Sequence, residues 1–122
     1  MSRVEITNLV KSYGGFQAVK GVSLGVAQGE LVTLLGSSGC GKTTTLRCVA
    51  GLETPDGGEI AFDDKPISRV PPHLRSCGMV FQNYALFPHM TVEENLAYGL
   101  MAERYRRANL LGRLNVLIGS PL

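Results

Sequence analysis

Gly36-Ser37-Ser38-Gly39-Cys40-Gly41-Lys42-Thr43 follows the apolar run Leu31-Val32-Thr33-Leu34-Leu35 and leads into Thr44-Thr45-Leu46-Arg47-Cys48-Val49-Ala50, which meets no helix breaker until Gly51. The octet matches the pattern G-x-x-x-x-G-K-[ST] at every fixed position. Backbone N–H groups can wrap an elongated anion only where the chain curls tightly and comes close. Gly36, Gly39 and Gly41 permit those dihedrals and carry no Cβ to block the approach. A helix starting at Lys42 presents unpaired N–H groups and the positive end of its dipole to the same anion. Lys42 adds a full charge toward the outer phosphates of a nucleotide, and the Thr43 hydroxyl suits Mg²⁺. Ser37, Ser38 and Cys40 fill the variable positions of the loop. Thr44 is counted with the nucleotide-binding set, although it and Thr45 also suit a helix surface or packing role.

The surrounding pattern is that of an α/β protein. Residues 31–35 read as a strand buried on both faces of a parallel sheet, and 77–81 as a second such strand. Residues 4–10 and 19–26 intersperse apolar and polar side chains, 59–62 is a short apolar segment, and all three read as antiparallel strands beside that core. Turns are expected at Tyr13-Gly14-Gly15-Phe16, Gln28-Gly29-Glu30, Pro55-Asp56-Gly57-Gly58 and around Asp63 and Asp64, with a break at Pro71-Pro72. Lys42 to Ala50 reads as a helix closed by Gly51. Thr91-Val92-Glu93-Glu94 fits a capping box, so a second helix starts there and runs to about Leu100. After it come three arginines between Arg104 and Arg107 and an apolar stretch from Leu110 to Ile118, a candidate last helix.

Bulk properties bound the alternatives. The chain has 122 residues, 44% hydrophobic and 18% charged, enough for one small packed domain. A net charge of +2 is too mild to argue for nucleic acid as a partner. Three cysteines, Cys40, Cys48 and Cys77, without regular spacing read as reduced thiols rather than disulfides or a zinc site. No apolar run is long enough to span a bilayer, and the N-terminus lacks the pattern of a signal peptide.

Taken together, several segments resemble the ABC transporter ATPases, from about Val4 to Leu100. The loop and its helix are close to the form found in bacterial importers. Ala50-Gly51-Leu52-Glu53-Thr54-Pro55-Asp56-Gly57-Gly58-Glu59-Ile60 is similar to a stretch that follows the loop in that family. Lys11-Ser12-Tyr13-Gly14 resembles the family's adenine-binding turn, which implies that Tyr13 stacks on the base of ATP. Gly78-Met79-Val80-Phe81-Gln82 resembles the strand before a glutamine that approaches Mg²⁺ and the attacking water. The resemblance thus implies a catalytic and metal-binding role for Gln82. The stretch between Gln82 and Thr91 resembles the surface on which transmembrane permease subunits dock, and His89 is a candidate contact there. A second ATPase subunit, forming a dimer, and a cytoplasmic place on the inner face of the membrane are further implications.

The resemblance divides the chain into 1–103, the N-terminal part of the ATP-binding domain, and 104–122, an atypical tail. No Leu-Ser-Gly-Gly-Gln signature follows, Glu103 is the only acidic residue after Asn95, and neither His73 nor His89 matches the family's switch histidine. A fragment, or a truncated or frame-shifted product, is therefore expected, and this chain alone is not expected to hydrolyse ATP. The alternatives are a docking module or remnant without ATPase activity, and another type of phosphate-loop enzyme. A GTPase reading lacks the Asn-Lys-x-Asp run that recognises guanine. If the loop binds phosphates, Lys42→Ala abolishes Mg-ATP binding in an equilibrium titration with a fluorescent ATP analogue. Undiminished binding by that variant would remove the assignment.

Overall fold

A computed structural model describes residues 2–117 of the chain, which divides into two units, Met1–Met79 and Val80–Leu122. In the first unit β1 (Val4–Tyr13), β2 (Phe16–Val26), β3 (Gly57–Phe62) and β4 (Lys65–Pro66) form one antiparallel sheet in the order β2-β1-β3-β4. Helix α1 spans Lys42–Ala50, and a single 3₁₀ turn covers Pro72–Leu74. The second unit contains α2, Val92–Leu117.

The β1–β2 hairpin turns through Gly14 and Gly15, with Tyr13 paired to Phe16. Gly14 has φ 58°, the left-handed geometry that a two-residue hairpin turn demands. Within β1 a strict two-residue alternation would place Ile6 and Leu9 on opposite faces. Both are buried, because the register shifts between them and Asn8 adopts φ 48°. The Asn8 amide donates to Ser23 Oγ at 2.9 Å, which satisfies the group the irregularity frees. Gly58 on β3 lies against this bulge. A Cβ there would sit 2.3 Å from the Asn8 carbonyl oxygen and 2.5 Å from that of Thr7.

The resulting inner face buries Ile6, Leu9, Val19, Ile60 and Phe62, together with Ile67 and Cys48. Cys48 comes from α1, so the helix contributes directly to the sheet's core. Burial pushes its thiol pKa up. Gly51 closes α1 in the left-handed region at φ 79°, as the glycine stop predicts. The buried Arg75 packs against that end, with its guanidinium donating to the carbonyls of Cys48 and Val49.

Two expected strands are not formed. Residues 31–35 and 77–81 carry no strand, and among the described residues there is no parallel pairing. Leu31 is 93% exposed, Leu35 88% and Val80 85%. A parallel strand needs ladder partners at its edges and cover on both faces. The apolar runs record that demand, but the described residues supply neither partner nor cover.

In the second unit the expected capping box is present. Thr91 N–H donates to Glu94 Oε2 at 2.7 Å, and Glu94 N–H donates to Thr91 Oγ1 at 3.2 Å. The helix does not stop near Leu100. It runs unbroken to Leu117, across the junction at 103–104, and passes through Gly112. A single glycine weakens a helix without ending it. Residues 118–122 lie outside the described residues.

Replacing Gly58 with Ala should lower unfolding stability by at least about 1–2 kcal/mol, since φ is +82° and the added Cβ meets backbone oxygens. Gly25→Ala, whose Cβ meets nothing within 4 Å, should leave the urea midpoint nearly unchanged. Equal midpoints for the two variants would contradict this account of the bulge.

Candidate functional site

The phosphate-loop motif rests on the backbone of β2. Gly41, the residue before α1, has φ 92°, and a Cβ on it would lie 2.3 Å from the Ala18 carbonyl oxygen. Only glycine permits that contact. Lys42 Nζ donates to the carbonyls of Gly36 at 2.7 Å and Ser37 at 2.6 Å, and lies 3.3 Å from Cys40 Sγ. The ammonium is thus gathered into its own loop. No side chain caps the start of α1, and its first turn holds no acidic residue. Thr45 Oγ1 turns back to the Gly41 carbonyl at 2.9 Å and packs rather than facing the loop. The leading N–H groups of α1 are therefore left to a ligand or solvent, whereas α2 has Thr91, Glu93 and Glu94 at its start.

Across from the loop stands the β1–β2 hairpin. Tyr13, Phe16 and Ala18 form one wall of a cleft of about 230 Å³, and Gly39, Cys40, Gly41, Lys42, Thr43 and Thr44 form the other. Lys11 Nζ lies 5.4 Å from the centroid of the Tyr13 ring. That ammonium is itself anchored by the Thr54 carbonyl at 2.8 Å and by Asp56 Oδ1 at 3.5 Å. Asp56 also accepts the Ser12 N–H at 2.7 Å. This backbone hydrogen bond holds the Asp56 carboxyl below its usual pKa; desolvation opposes it, and the weaker pull of the Lys11 charge adds to the lowering. The aromatic ring is thus placed by a polar network joining β1 to the turn after α1.

Most of the residues singled out in the sequence converge here. Tyr13 and Gly39 through Thr44 line one cleft; Gly36 and Ser37 hold the lysine, and Ser38 is exposed in the loop. Gln82 lies in an exposed turn of the second unit. Phe16, Ala18, Lys11 and Asp56 were not anticipated. Phe16 was legible as the residue across a two-residue Gly-Gly turn from Tyr13; the Asp56 contact was not, because it joins residues distant in sequence.

Comparison with known proteins gives this arrangement a family. The model of the ABC transporter family matches residues 19–118. The chain belongs to the ABC transporter family. It is 52% identical over 116 residues to the putrescine transport ATP-binding protein PotG of Escherichia coli, a match covering 95% of this chain and 31% of that relative. It is 55% identical over 101 residues to the sn-glycerol-3-phosphate import ATP-binding protein UgpC of Brucella abortus, covering 82% of this chain and 29% of the relative. The chain thus spans about a third of the length of these relatives. Among solved structures, a nucleotide-free ATP-binding cassette of an ABC transporter aligns with a TM-score of 0.57 at 33% identity, over 59% of this chain and 28% of that one. The fold is of the ABC cassette class, and the antiparallel sheet and α1 are elements this chain contributes to it.

In this ABC chain the segment before α2 is shaped by Asn95. Its amide oxygen accepts the Phe87 N–H at 2.9 Å, and its Nδ2 donates to the carbonyls of Phe87, Met90 and Thr91. The Phe87 and Tyr98 rings are in contact, with centroids 4.4 Å apart and planes tilted by 45°. Just upstream, Tyr84 and Ala85 both adopt positive φ, an unfavourable geometry for residues with a Cβ.

The Asp56 network carries a pH signature. Its folded pKa is depressed, so the stabilisation is present above the ordinary carboxylate value and is lost as pH falls through the lowered one. Asp56→Asn removes this titration. The variant's unfolding midpoint should fall less than that of wild type between about pH 5 and pH 3. Parallel profiles would show that Asp56 does not hold the turn.

Proposed function

We propose that the cleft between Tyr13 and the phosphate loop binds Mg-ATP, and that the chain supplies this part of the ATP-binding subunit of an ABC importer. The observation carrying this reading is that one cleft joins an aromatic side chain to an uncapped helix start bearing Lys42. Adenine is a flat ring that an aromatic side chain can stack on, and a triphosphate is a chain of anions that free N–H groups and an ammonium attract. Binding would draw Lys42 from the Gly36 and Ser37 carbonyls to the outer phosphates, exchanging neutral acceptors for charged ones.

The donor set fits a metal that arrives with the nucleotide. Among the described residues no group of three or more His, Cys, Asp or Glu could hold a metal ion. Mg²⁺ would be held by the Thr43 hydroxyl and phosphate oxygens and would neutralise charge on the phosphates. The metal-binding role of Gln82, in the second unit, is a separate proposal that rests on the family resemblance. Gln82 is the candidate to orient the attacking water.

The partners follow from the same reading. Transmembrane permease subunits dock on the segment between Gln82 and Thr91. The strained turn at Tyr84 and Ala85 and the Asn95-held loop support a shaped surface there. A groove of about 310 Å³ lined by Met90, Glu94, Tyr98 and Met101 adjoins it. No described helix is long and apolar enough to cross a membrane, so attachment to the inner face of the membrane would be through those subunits. A second ATPase subunit completes the site in the assembled transporter, and nucleic acid is not a partner. Relatives of similar identity carry the names of different solutes, putrescine and sn-glycerol-3-phosphate. This region is therefore read as the energy-coupling part rather than the part that selects the solute.

Turnover is a separate matter. The acidic residues after Gln82 are Glu93, Glu94 and Glu103, all on α2 rather than at the end of a strand. The purified chain should bind Mg-ATP and release no phosphate above background. Tyr13→Ala should weaken binding by about 1–2 kcal/mol, with Tyr13→Phe largely restoring it. Lys42-dependent phosphate release would contradict the first expectation; unchanged binding by the Ala variant would return Tyr13 to a packing role.

A further inference from the structure

Arg75 is only 7% exposed, yet no acidic residue pairs with it among its hydrogen bonds. Its guanidinium is spent entirely on backbone carbonyls. Nη1 donates to Cys48 at 2.7 Å and Val49 at 2.8 Å, Nε to Val70 at 2.8 Å, and Nη2 to Ser68 at 3.2 Å. The first two acceptors belong to the last turn of α1; the other two belong to the loop after β4. The planar fork therefore ties the far end of the phosphate-loop helix to the loop after β4. Gly51 makes room for it, since a Cβ there would lie 2.6 Å from Nε. A fixed cation at a helix C-terminus also complements the dipole whose positive end faces the phosphates.

Helix α1 has nine residues, so its two ends are about 13 Å apart. One end rests on Ala18 through Gly41 and the other is clamped by Arg75. A short rod held at both ends cannot swing or slide, and its leading N–H groups stay aimed at one point. We propose that Arg75 is a positioning residue for phosphate binding, acting through α1 without touching the nucleotide. The inference rests on the reading that the cleft takes the phosphates of ATP. It assigns phosphate affinity to a side chain at the opposite end of the helix, outside the loop motif.

The test uses the full chain, tripolyphosphate as the phosphate probe and adenosine as the base probe, each competing against a fluorescent ATP analogue below the unfolding temperature of every variant. Arg75→Lys keeps the charge but loses the fork. Its tripolyphosphate affinity should fall about tenfold, as expected for displaced charge-assisted hydrogen bonds, while adenosine affinity holds. Arg75→Met should lose more. Leu9→Ala, a core deletion in β1, serves as the stability control and should not change the ratio of the two affinities.

Should the arginine variants fail to fold, the wild-type chain alone decides. Titration with tripolyphosphate should shift the nuclear magnetic resonance of the Arg75 Nε–H and of the Gly51 amide as well as that of Lys42. Shifts confined to the loop would overturn the proposal, as would Arg75→Lys binding tripolyphosphate as tightly as wild type. A ratio that changes equally in Leu9→Ala would also overturn it. A wild-type chain that binds neither Mg-ATP nor tripolyphosphate would sink the nucleotide reading itself, and this inference with it.

Discussion

The contact between Gly41 and the Ala18 carbonyl governs the geometry of the site. Because the loop residue has no Cβ, α1 begins directly against β2 rather than a side chain's width away. That places the start of the helix beside the β1–β2 hairpin, whose turn carries Tyr13 and Phe16. The same seating lets Cys48 reach the core shared with Leu9, Val19 and Ile60. A cleft and a core thus arise from one close approach. Adding a methyl at Gly41 would disturb both, through a strained backbone geometry at φ 92° and a clash with the Ala18 carbonyl oxygen 2.3 Å away.

The two helices show how local sequence decides whether an N-terminus is used or sealed. At α2 a threonine and a glutamate satisfy each other's backbone N–H groups, so the helix start is self-contained. At α1 glycine replaces the capping side chain and lysine stands where an acid would otherwise suit the dipole. The second arrangement is poor for an isolated helix and good for an anion. The family membership and the cleft point the same way.

Local signals were the legible ones. Gly51 as a helix stop, the Gly14-Gly15 hairpin, the capping box and the loop octet all act over a few residues, and each is found where the residues indicate. The segments 31–35 and 77–81 form no strand here because an apolar run reports only that a segment needs burial. Whether it is buried depends on partner strands, which local pattern does not contain. Arg75 and Asp56 were invisible for a related reason. Each earns its role by reaching backbone groups distant in sequence, and neither stands in a pattern that distinguishes it from an ordinary surface charge.

The central claim is that base and phosphates of one nucleotide meet in the cleft between the hairpin and the phosphate loop. Photolabelling with an azido-adenine triphosphate analogue, followed by mass spectrometric mapping, tests it most directly. The account predicts an adduct on the peptide containing Tyr13 and Phe16, suppressed by excess Mg-ATP and absent in Lys42→Ala. Labelling that falls elsewhere on the chain, or that Mg-ATP does not displace, would contradict it.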